Sequence, residues 1–491
     1  MPPATAHKQG PVHLRAELRG HEAAARGLLG CAHAESFLNA QPAAVSLNDP
    51  EPGPNKSLPD ARKSRIRRGV LTLKVLFFTP RQCWPPDSGA RLRDYHLVQQ
   101  IGARCELTYL GFSDPQADQG PDPALGAVIR ERVMVPGRVG YSIGNITRGL
   151  VAGTALPILN YTTPQMDRAL EDLLRRRRFD LVHLGGVHLS EYVERLRTAP
   201  DRPMLVCDWH NIESELMDRY SKSVGNPLLR VYAAATAARL RAAEKRLLQL
   251  CDMVTVTSDR ERRSIESRWP SSCPLRVVEN GVDLSAFTLQ GTVPPEHTHS
   301  RNKFLFVGSL DYHANIDAVT YFANDIWPHV LRAHPEFRFQ IVGRSPAKSV
   351  RALAVRPGIE VIGAVADVRP YYRGAFASIV PLRVGGGTRL KILESMAAGT
   401  PVISTRLGAE GLEVEDGGHI LLADRPDHFL NAITSLRARP QQWAHLARSG
   451  QQLVRSRYDW TAIGARLGAL YEAVVTRGPS GEGEPAGNRR K

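Results

Sequence analysis

Residues Phe376 to Ser404 read FASIVPLRVGGGTRLKILESMAAGTPVIS. An apolar, partly β-branched run of strand length meets three consecutive glycines, Gly385, Gly386 and Gly387, then a helix-spaced stretch, and after Pro401 a second short apolar run. Two such runs joined through a helix make a parallel pair, since antiparallel neighbours need only a short turn. Parallel strands are buried on both faces, which explains why each run is nearly all apolar and does not alternate.

The same cadence extends along the chain. The second half offers strand-like runs at Lys303–Gly308, Phe337–Gly343, Ile359–Gly363, Phe376–Leu382, Pro401–Thr405 and His419–Ala423. The first half offers Lys74–Thr79, Cys105–Phe112, Asp180–Leu184, Pro203–Asp208, Met253–Thr257 and Leu275–Val278, with helical stretches such as Leu229–Leu250 between them. This predicts an α/β protein of two doubly wound, Rossmann-like domains, over 70–290 and 300–455, facing each other across a cleft. The join near 285–302 is polar, contains proline and has no period. An amphipathic helix over 456–477 can close the second domain or cross back to the first. Residues 1–69 lack a sustained period and read as a disordered leader, and 478–491 as a loose tail.

The 491 residues carry a formal net charge of +15, and only ten of the 64 basic side chains are lysine. Such a surface favours anionic partners: phosphorylated substrates, acidic lipid or nucleic acid. Nucleic acid is disfavoured because no helix-turn-helix, zinc or RNA-binding aromatic signature is present. The six cysteines are widely spaced with no C-x-x-C pair, against both a disulfide framework and a zinc site. No window is long and apolar enough for a spanning helix, and no secretory segment opens the chain. A cytoplasmic location is expected.

The glycine loop and the start of the helix after Thr388 leave backbone N–H groups free to receive an anion. Arg389 and Lys391 fall in the expected first turn, where cations oppose the helix dipole unless an anion offsets them. Lys391 and Glu394 are three apart and share a face, about 4.5 Å apart along the axis. A cation for a diphosphate beside a carboxylate for a ribose diol matches a nucleoside diphosphate. An exposed i,i+3 ion pair under a glycine turn explains the same letters.

This stretch resembles the donor-binding motif of the retaining glycosyltransferases of family 4, which have the GT-B fold and use nucleotide-activated sugars. The resemblance covers roughly residues 72 to 476. It is supported in order by KVLFFTPRQCWPPDSGARLR from Lys74, DWHNIESE from Asp208, CDMVTVTSDRE from Cys251, VENGVD from Val278 and FVGSL from Phe306. Within the family it looks most like bacterial enzymes of exopolysaccharide assembly, including exosortase-associated ones.

The resemblance implies roles for individual residues. Glu394 would bind the ribose hydroxyls, Lys391 and Arg389 the diphosphate, and Gly385, Gly386, Gly387 and Thr388 would offer amides to phosphate and sugar. His210 would contact the transferred sugar. Gly89, in DSGAR, would let the loop approach the donor, although Asp87 or Ser88 as a helix cap explains the same residues. Gly308 would open the second domain to the donor. Asn211 and Glu213 read as helix-start residues, and Asn280-Gly281 as a tight turn needing positive φ. Two departures stand out. Gly386 occupies the place of the family's frequent second carboxylate, and the Arg and Lys often found after the strand ending at Gly308 are replaced by SLDYHANIDA, so Arg383, Arg344 or His313 would have to compensate.

The implied reaction is transfer of a hexose, with retention, from a nucleoside diphosphate sugar to a hydroxyl of a lipid-linked or polysaccharide acceptor. No resident cofactor or essential metal is expected, because no Asp-x-Asp pair sits at a strand end. Arg148–Tyr161 and Arg175–Arg178 supply apolar and cationic material for an acidic membrane surface, or are an ordinary helix and a solvated charge run. The alternative is an inactive relative that binds an anionic surface or a sugar nucleotide.

Overall fold

A computed structural model describes residues 72–86, 88–113, 120, 123–137, 153–270, 273–287, 301–384 and 389–478. The expected leader, nearly all of the tail, most of the join and residues 148–152 of the Arg148–Tyr161 segment lie outside the described residues.

Two parallel sheets form, each with its own apolar core. The first has seven strands: β1 (Lys74–Thr79), β2 (Glu106–Ser113), β3 (Ile129–Pro136), β4 (Leu181–Leu184), β5 (Met204–Trp209), β6 (Met253–Val256) and β7 (Leu275–Val277), in the order β3-β2-β1-β4-β5-β6-β7. The second has six: β8 (Lys303–Val307), β9 (Arg338–Val342), β10 (Ile359–Gly363), β11 (Ala377–Val380), β12 (Val402–Ser404) and β13 (Leu421–Leu422), in the order β10-β9-β8-β11-β12-β13. In both, the order reverses beside the first strand, between β1 and β4 and between β8 and β11. The crevice outside the carboxyl ends of those strands is where such sheets take ligands.

The expected strands are present within a few residues of their predicted ends, with Phe376–Leu382 trimmed to Ala377–Val380 and His419–Ala423 to Leu421–Leu422. β3 was not anticipated. It is an edge strand with the sequence IRERVMVP, only half-covered, so its charges mask the strand signal. Those charges have local partners: Arg130 lies 3.3 Å from Glu106, and Glu131 lies 2.7 Å from Arg177.

The chain crosses between the lobes twice at one place. After β7 it leaves the first lobe, and Val282 forms a parallel bridge with Asp459, its N–H donating to the Tyr458 carbonyl at 2.8 Å. From there the helix Trp460–Arg477 returns to the first lobe. Trp460, Ile463, Leu467 and Tyr471 join the same core as Phe77 and Ile101. The Tyr471 hydroxyl lies 2.6 Å from Nδ1 of the buried His183, and His96 stacks on Trp460.

Gly281 corrects one sequence expectation: it is not among the described glycines with positive φ. Its requirement is space. A Cβ there would stand 2.6 Å from the Tyr458 carbonyl oxygen, 2.7 Å from Ile463 Cδ1 and 3.0 Å from Trp460. The two crossings are packed onto each other at this point. Gly281→Val should therefore lower unfolding stability by about 1–3 kcal/mol through overpacking. Thermal denaturation checks this, and an unchanged midpoint would show that the crossing yields.

Candidate active site

β5 runs into Asp208, Trp209 and His210. Alternate residues of an extended chain point the same way, and Asp208 and His210 do share a face. The helix Gly89–Gly102 follows β1 and points Arg93 and Asp94 into that face, with Arg93 1 % and Asp94 0 % exposed. A buried charge survives only when paired and hydrogen-bonded, and here the pairing is complete. Arg93 Nε donates to Asp208 Oδ2 at 2.8 Å and Nη2 to Asp208 Oδ1 at 2.7 Å. Nη2 also donates to the Val278 carbonyl, and Nη1 to the Glu279 carbonyl and to Asn280 Oδ1. All five guanidinium donors are used. Thr255 Oγ1 donates to Asp208 at 2.6 Å, and Thr79 Oγ1 to Asp94 at 2.8 Å.

His210 Nε2 sits between the two acids, 3.2 Å from Asp94 Oδ1 and 3.3 Å from Asp208 Oδ2. Burial alone would lower its pKa, but the carboxylates overcome this and raise it to about 9. Burial would raise both acids, yet His210 holds Asp94 below its usual range, and Arg93 with His210 holds Asp208 well below. His210 is thus a fixed imidazolium at neutral pH. Arg81, in the loop after β1, adds positive charge felt by Asp94, Glu213 and His188. Glu213 opens the helix Glu213–Ser223.

In the second lobe, Gly385, Gly386, Gly387 and Thr388 lie outside the described residues. The helix that follows is Leu390–Ala397, and Arg389 stands at its N-cap and not in the first turn. Arg389 is buried, donates to the Leu407 carbonyl at 3.1 Å and lines the cavity between the lobes. Lys391 and Glu394 are both half-buried, and neither is spent on the other. Lys391 Nζ donates to Asn315 Oδ1 at 2.8 Å and lies over the Phe306 ring at 4.2 Å. Glu394 Oε2 accepts from the Tyr372 hydroxyl at 2.8 Å. Burial, and then the charge of Arg389, push Lys391 down to about 7, and burial pushes Glu394 up. The exposed ion pair that the sequence left open is not what forms.

Gly308, the residue after β8, lies against this lysine. A Cβ there would meet Asn315 Nδ2 at 2.8 Å and Lys391 Nζ at 3.0 Å, so glycine is what allows the ammonium to lie at the carboxyl end of the strand. Gly89, at the facing edge of the first lobe, is exposed, and a Cβ on it would meet no described atom within 4 Å. Ser88 is the N-cap residue but makes no side-chain cap bond. Of the cations considered as compensation, Arg383 is held by Asp317 and covers Tyr321, while Arg344 Nε donates to Ser309 Oγ at 2.9 Å, one residue from Gly308. His313 packs against Tyr312. Arg344 is therefore the one beside the strand end.

The lobes meet around a cavity lined by Asn211, Glu215, Arg219, Ser258, Arg389 and Glu410 among others. Arg260 crosses it to Glu410 at 2.9 Å. Asn211, the neighbour of His210, comes from one side and Arg389 from the other. Sequence reading missed Arg93, Asp94, Asp208 and Arg81. The DWH alternation was the available signal for Asp208, whereas nothing in a helix with four inward polar residues, Arg91, Arg93, Asp94 and His96, marks which of them matter.

Two family models match in tandem: Glycosyltransferase Family 4 over residues 95–286 and Glycosyl transferases group 1 over residues 301–439. The chain belongs to the family 4 glycosyltransferases. Among its relatives, a D-inositol 3-phosphate glycosyltransferase of Corynebacterium jeikeium is 27% identical over 286 residues, covering 50% of this chain and 63% of that protein. A phosphatidyl-myo-inositol mannosyltransferase of Mycobacterium tuberculosis is 26% identical over 211 residues, covering 41% and 54%. The matches thus span less than two thirds of those relatives' lengths. Solved GT-B structures agree in fold: sucrose-phosphate synthase from Thermosynechococcus elongatus at TM-score 0.59 and 17% identity, and Anabaena HepE in complex with UDP at 0.56 and 14%, each covering 82% of this chain and 100% of the other.

Two predictions follow from the imidazolium. NMR should find the His210 ring titrating near 9, and Asp94→Asn should bring it back towards about 6.5. Because the folded pKa lies above the unfolded one, the His210 contribution to stability is complete below about 6.5 and is lost as pH rises towards 9. A His210 titration at or below the ordinary value would refute the pairing. Separately, Arg93→Met leaves Asp208 buried without its cation and should cost about 3–5 kcal/mol in denaturant unfolding.

Proposed function

We propose that this protein transfers a hexose from a nucleoside diphosphate sugar to a hydroxyl of a lipid-linked or polysaccharide acceptor, with retention, in the assembly of a cell-surface glycan. The observation that carries the reading is the placement on the helix Leu390–Ala397 of two charged groups not bonded to each other: a desolvated lysine held by Asn315 at the strand edge and, three residues on, a half-buried glutamate held by Tyr372. The resemblance of this stretch to the donor motif supplies the ligand, and UDP bound to HepE suits it. The relative named a phosphatidyl-myo-inositol mannosyltransferase suits a lipid acceptor.

Lys391 and Arg389 hold the diphosphate, Glu394 receives the ribose hydroxyls, and the resemblance assigns the backbone amides of residues 385–388 to phosphate and sugar. In the transfer, the bond from the anomeric carbon to the acceptor oxygen forms on the face from which the diphosphate oxygen departs, and the acceptor proton passes to that diphosphate. Its growing charge is met by Lys391 and Arg389, already desolvated, so little reorganisation is needed. His210, fixed as a cation by two acids, holds a sugar hydroxyl from the opposite lobe and needs no proton exchange. Lobe closure excludes water and limits hydrolysis. The work takes place in the cytoplasm, on or near the inner membrane leaflet.

Lys391→Ala and Glu394→Ala should each lower kcat/KM by about 10²-fold for the accepted donor, found by screening nucleoside diphosphate sugars for nucleotide release. If no donor is bound or turned over, the protein is a non-catalytic binder. A second test uses the lysine alone. At pH 8 a Lys391 titrating near 7 is mostly neutral, and binding a diphosphate recharges it, so binding should take up close to one proton. Calorimetry in two buffers of different ionisation enthalpy measures this. Uptake that persists in Lys391→Gln would assign the proton elsewhere.

A further inference from the structure

The helix Glu213–Ser223 starts three residues after His210 and packs antiparallel against the long helix Pro227–Leu250. Two bonds fix their register: Ser214 N–H and Oγ donate to the Glu244 carboxylate, and Arg241 pairs with Asp218 at 2.6 Å. Continuing that register, the shorter helix ends level with residues 235–236 of the longer one. Residues 227–235 therefore project past it. From the level of Glu244 to Leu228 the rise is about 24 Å at 1.5 Å per residue. The other end, Leu250, leads directly to the start of β6, at the opposite edge of the sheet. The projecting tip thus stands beyond the carboxyl edge, on the side of the cleft, and the flank of the shorter helix, through Glu215, Leu216 and Arg219, lines the cavity between the lobes.

This tip has the wrong surface for water. Ala233, Thr236, Ala237 and Leu240 face inward and are buried. On the outer face, Leu228, Val231, Tyr232 and Ala235 follow the i, i+3, i+4, i+7 spacing of a continuous stripe. Leu228 is 81% exposed and Val231 69%, the two most exposed large apolar side chains of the first lobe among the described residues. From Arg219 to Arg241 the sequence has five cations and no acid. Arg219 and Arg241 are paired with Glu215 and Asp218, while Lys222, Arg230 and Arg239 have no carboxylate partner among the described residues. Arg239 lies one turn below Ala235 on the same outer face.

We infer that this helical tip docks on an anionic phospholipid surface, seating Leu228, Val231 and Tyr232 among the acyl boundary with Lys222, Arg230 and Arg239 at the headgroups. An apolar stripe flanked by unpaired cations is the chemistry of an interfacial helix, and a negative lipid surface complements a segment without acids. The inference rests on the lipid-acceptor reading and deepens it: the docked tip presents the His210 side of the cleft to an acceptor held in the bilayer. It also moves the membrane contact from the segments the sequence suggested, Arg148–Tyr161 and Arg175–Arg178. Of these, Arg176 and Arg177 are engaged with Asp172, Glu106 and Glu131.

The test is co-sedimentation of the full chain with vesicles of phosphatidylcholine alone and with about 30% phosphatidylglycerol. The wild type should bind the second and not the first. The triple variant Leu228→Ser, Val231→Ser, Tyr232→Ser should lose at least tenfold in partitioning, and Lys222→Glu with Arg230→Glu a similar factor, about fivefold per cation removed. Circular dichroism melting keeps misfolded variants out of the comparison. Donor hydrolysis by water should stay at the wild-type rate in both, so loss of vesicle binding is read independently of whether the protein is a transferase. Unchanged vesicle binding in both variants would overturn the inference. So would a wild-type dimer in sedimentation velocity that the triple variant dissolves, since the stripe would then be covered by a second copy.

Discussion

A guanidinium with no access to water organises the first lobe. Arg93 must find five acceptors or the helix Gly89–Gly102 cannot bury it. It finds them on three separate parts of the chain: Asp208 at the end of β5, the Val278 and Glu279 carbonyls at the exit of β7, and the Asn280 side chain at the crossing between lobes. A point charge such as lysine could not span these directions; the planar fork does. Because Asp208 is held, its second duty follows. Together with Asp94 it fixes the ring of His210 and its charge, so the imidazolium at the cleft is a consequence of how the helix is buried.

The same exit loop ties the site to the hinge. Glu279, whose carbonyl accepts from Arg93, gives its carboxylate to Arg457 and Arg466 at 2.9 Å each. Arg457 also engages Glu413 of the second lobe through both of its Nη groups. Arg466 lies on the helix that returns to the first lobe. One residue therefore links the His210 network, the junction at Tyr458 and the second lobe. The junction backbone is tied by the bonds of Val282 to Tyr458 and of Trp460 to Val282, while Arg260 and Glu410, a half-buried pair across the cavity, join the lobes through side chains alone.

Much of the architecture was legible because parallel strands announce themselves. KVLFFT, PMLVCD and KFLFV are continuous apolar runs, since both faces of each strand are covered. The edge strand Ile129–Pro136 was not legible, because an edge tolerates and even needs charge. The site was legible in its motif residues and illegible in their supports. His210, Lys391 and Glu394 stand in patterned segments, but Arg93 and Asp94 sit in a helix whose inner face is polar, where apolar periodicity says nothing. Gly281 was noticed for the wrong reason. A glycine letter does not reveal whether the chain needs a dihedral or a vacancy, and here the carbonyl of Tyr458, 177 positions later in sequence, decides.

The two lobes treat charge in opposite ways. In the first, the charges around His210 are neutralised in place: Arg93 by Asp208, and His210 by Asp94 and Asp208, so the apparatus is finished before any ligand arrives. In the second, Lys391 and Arg389 are desolvated close enough to repel one another, and the helix they introduce points its positive end the same way. Asn315 gives Lys391 an acceptor but no charge, and Glu394 is raised where an effective counterion would be held low. Arg389 is drawn to Glu410, and Lys391 only weakly to Glu394. An anion at the lysine would offset both its desolvation and the repulsion by Arg389, which is the way the proposed diphosphate would complete this half of the cleft.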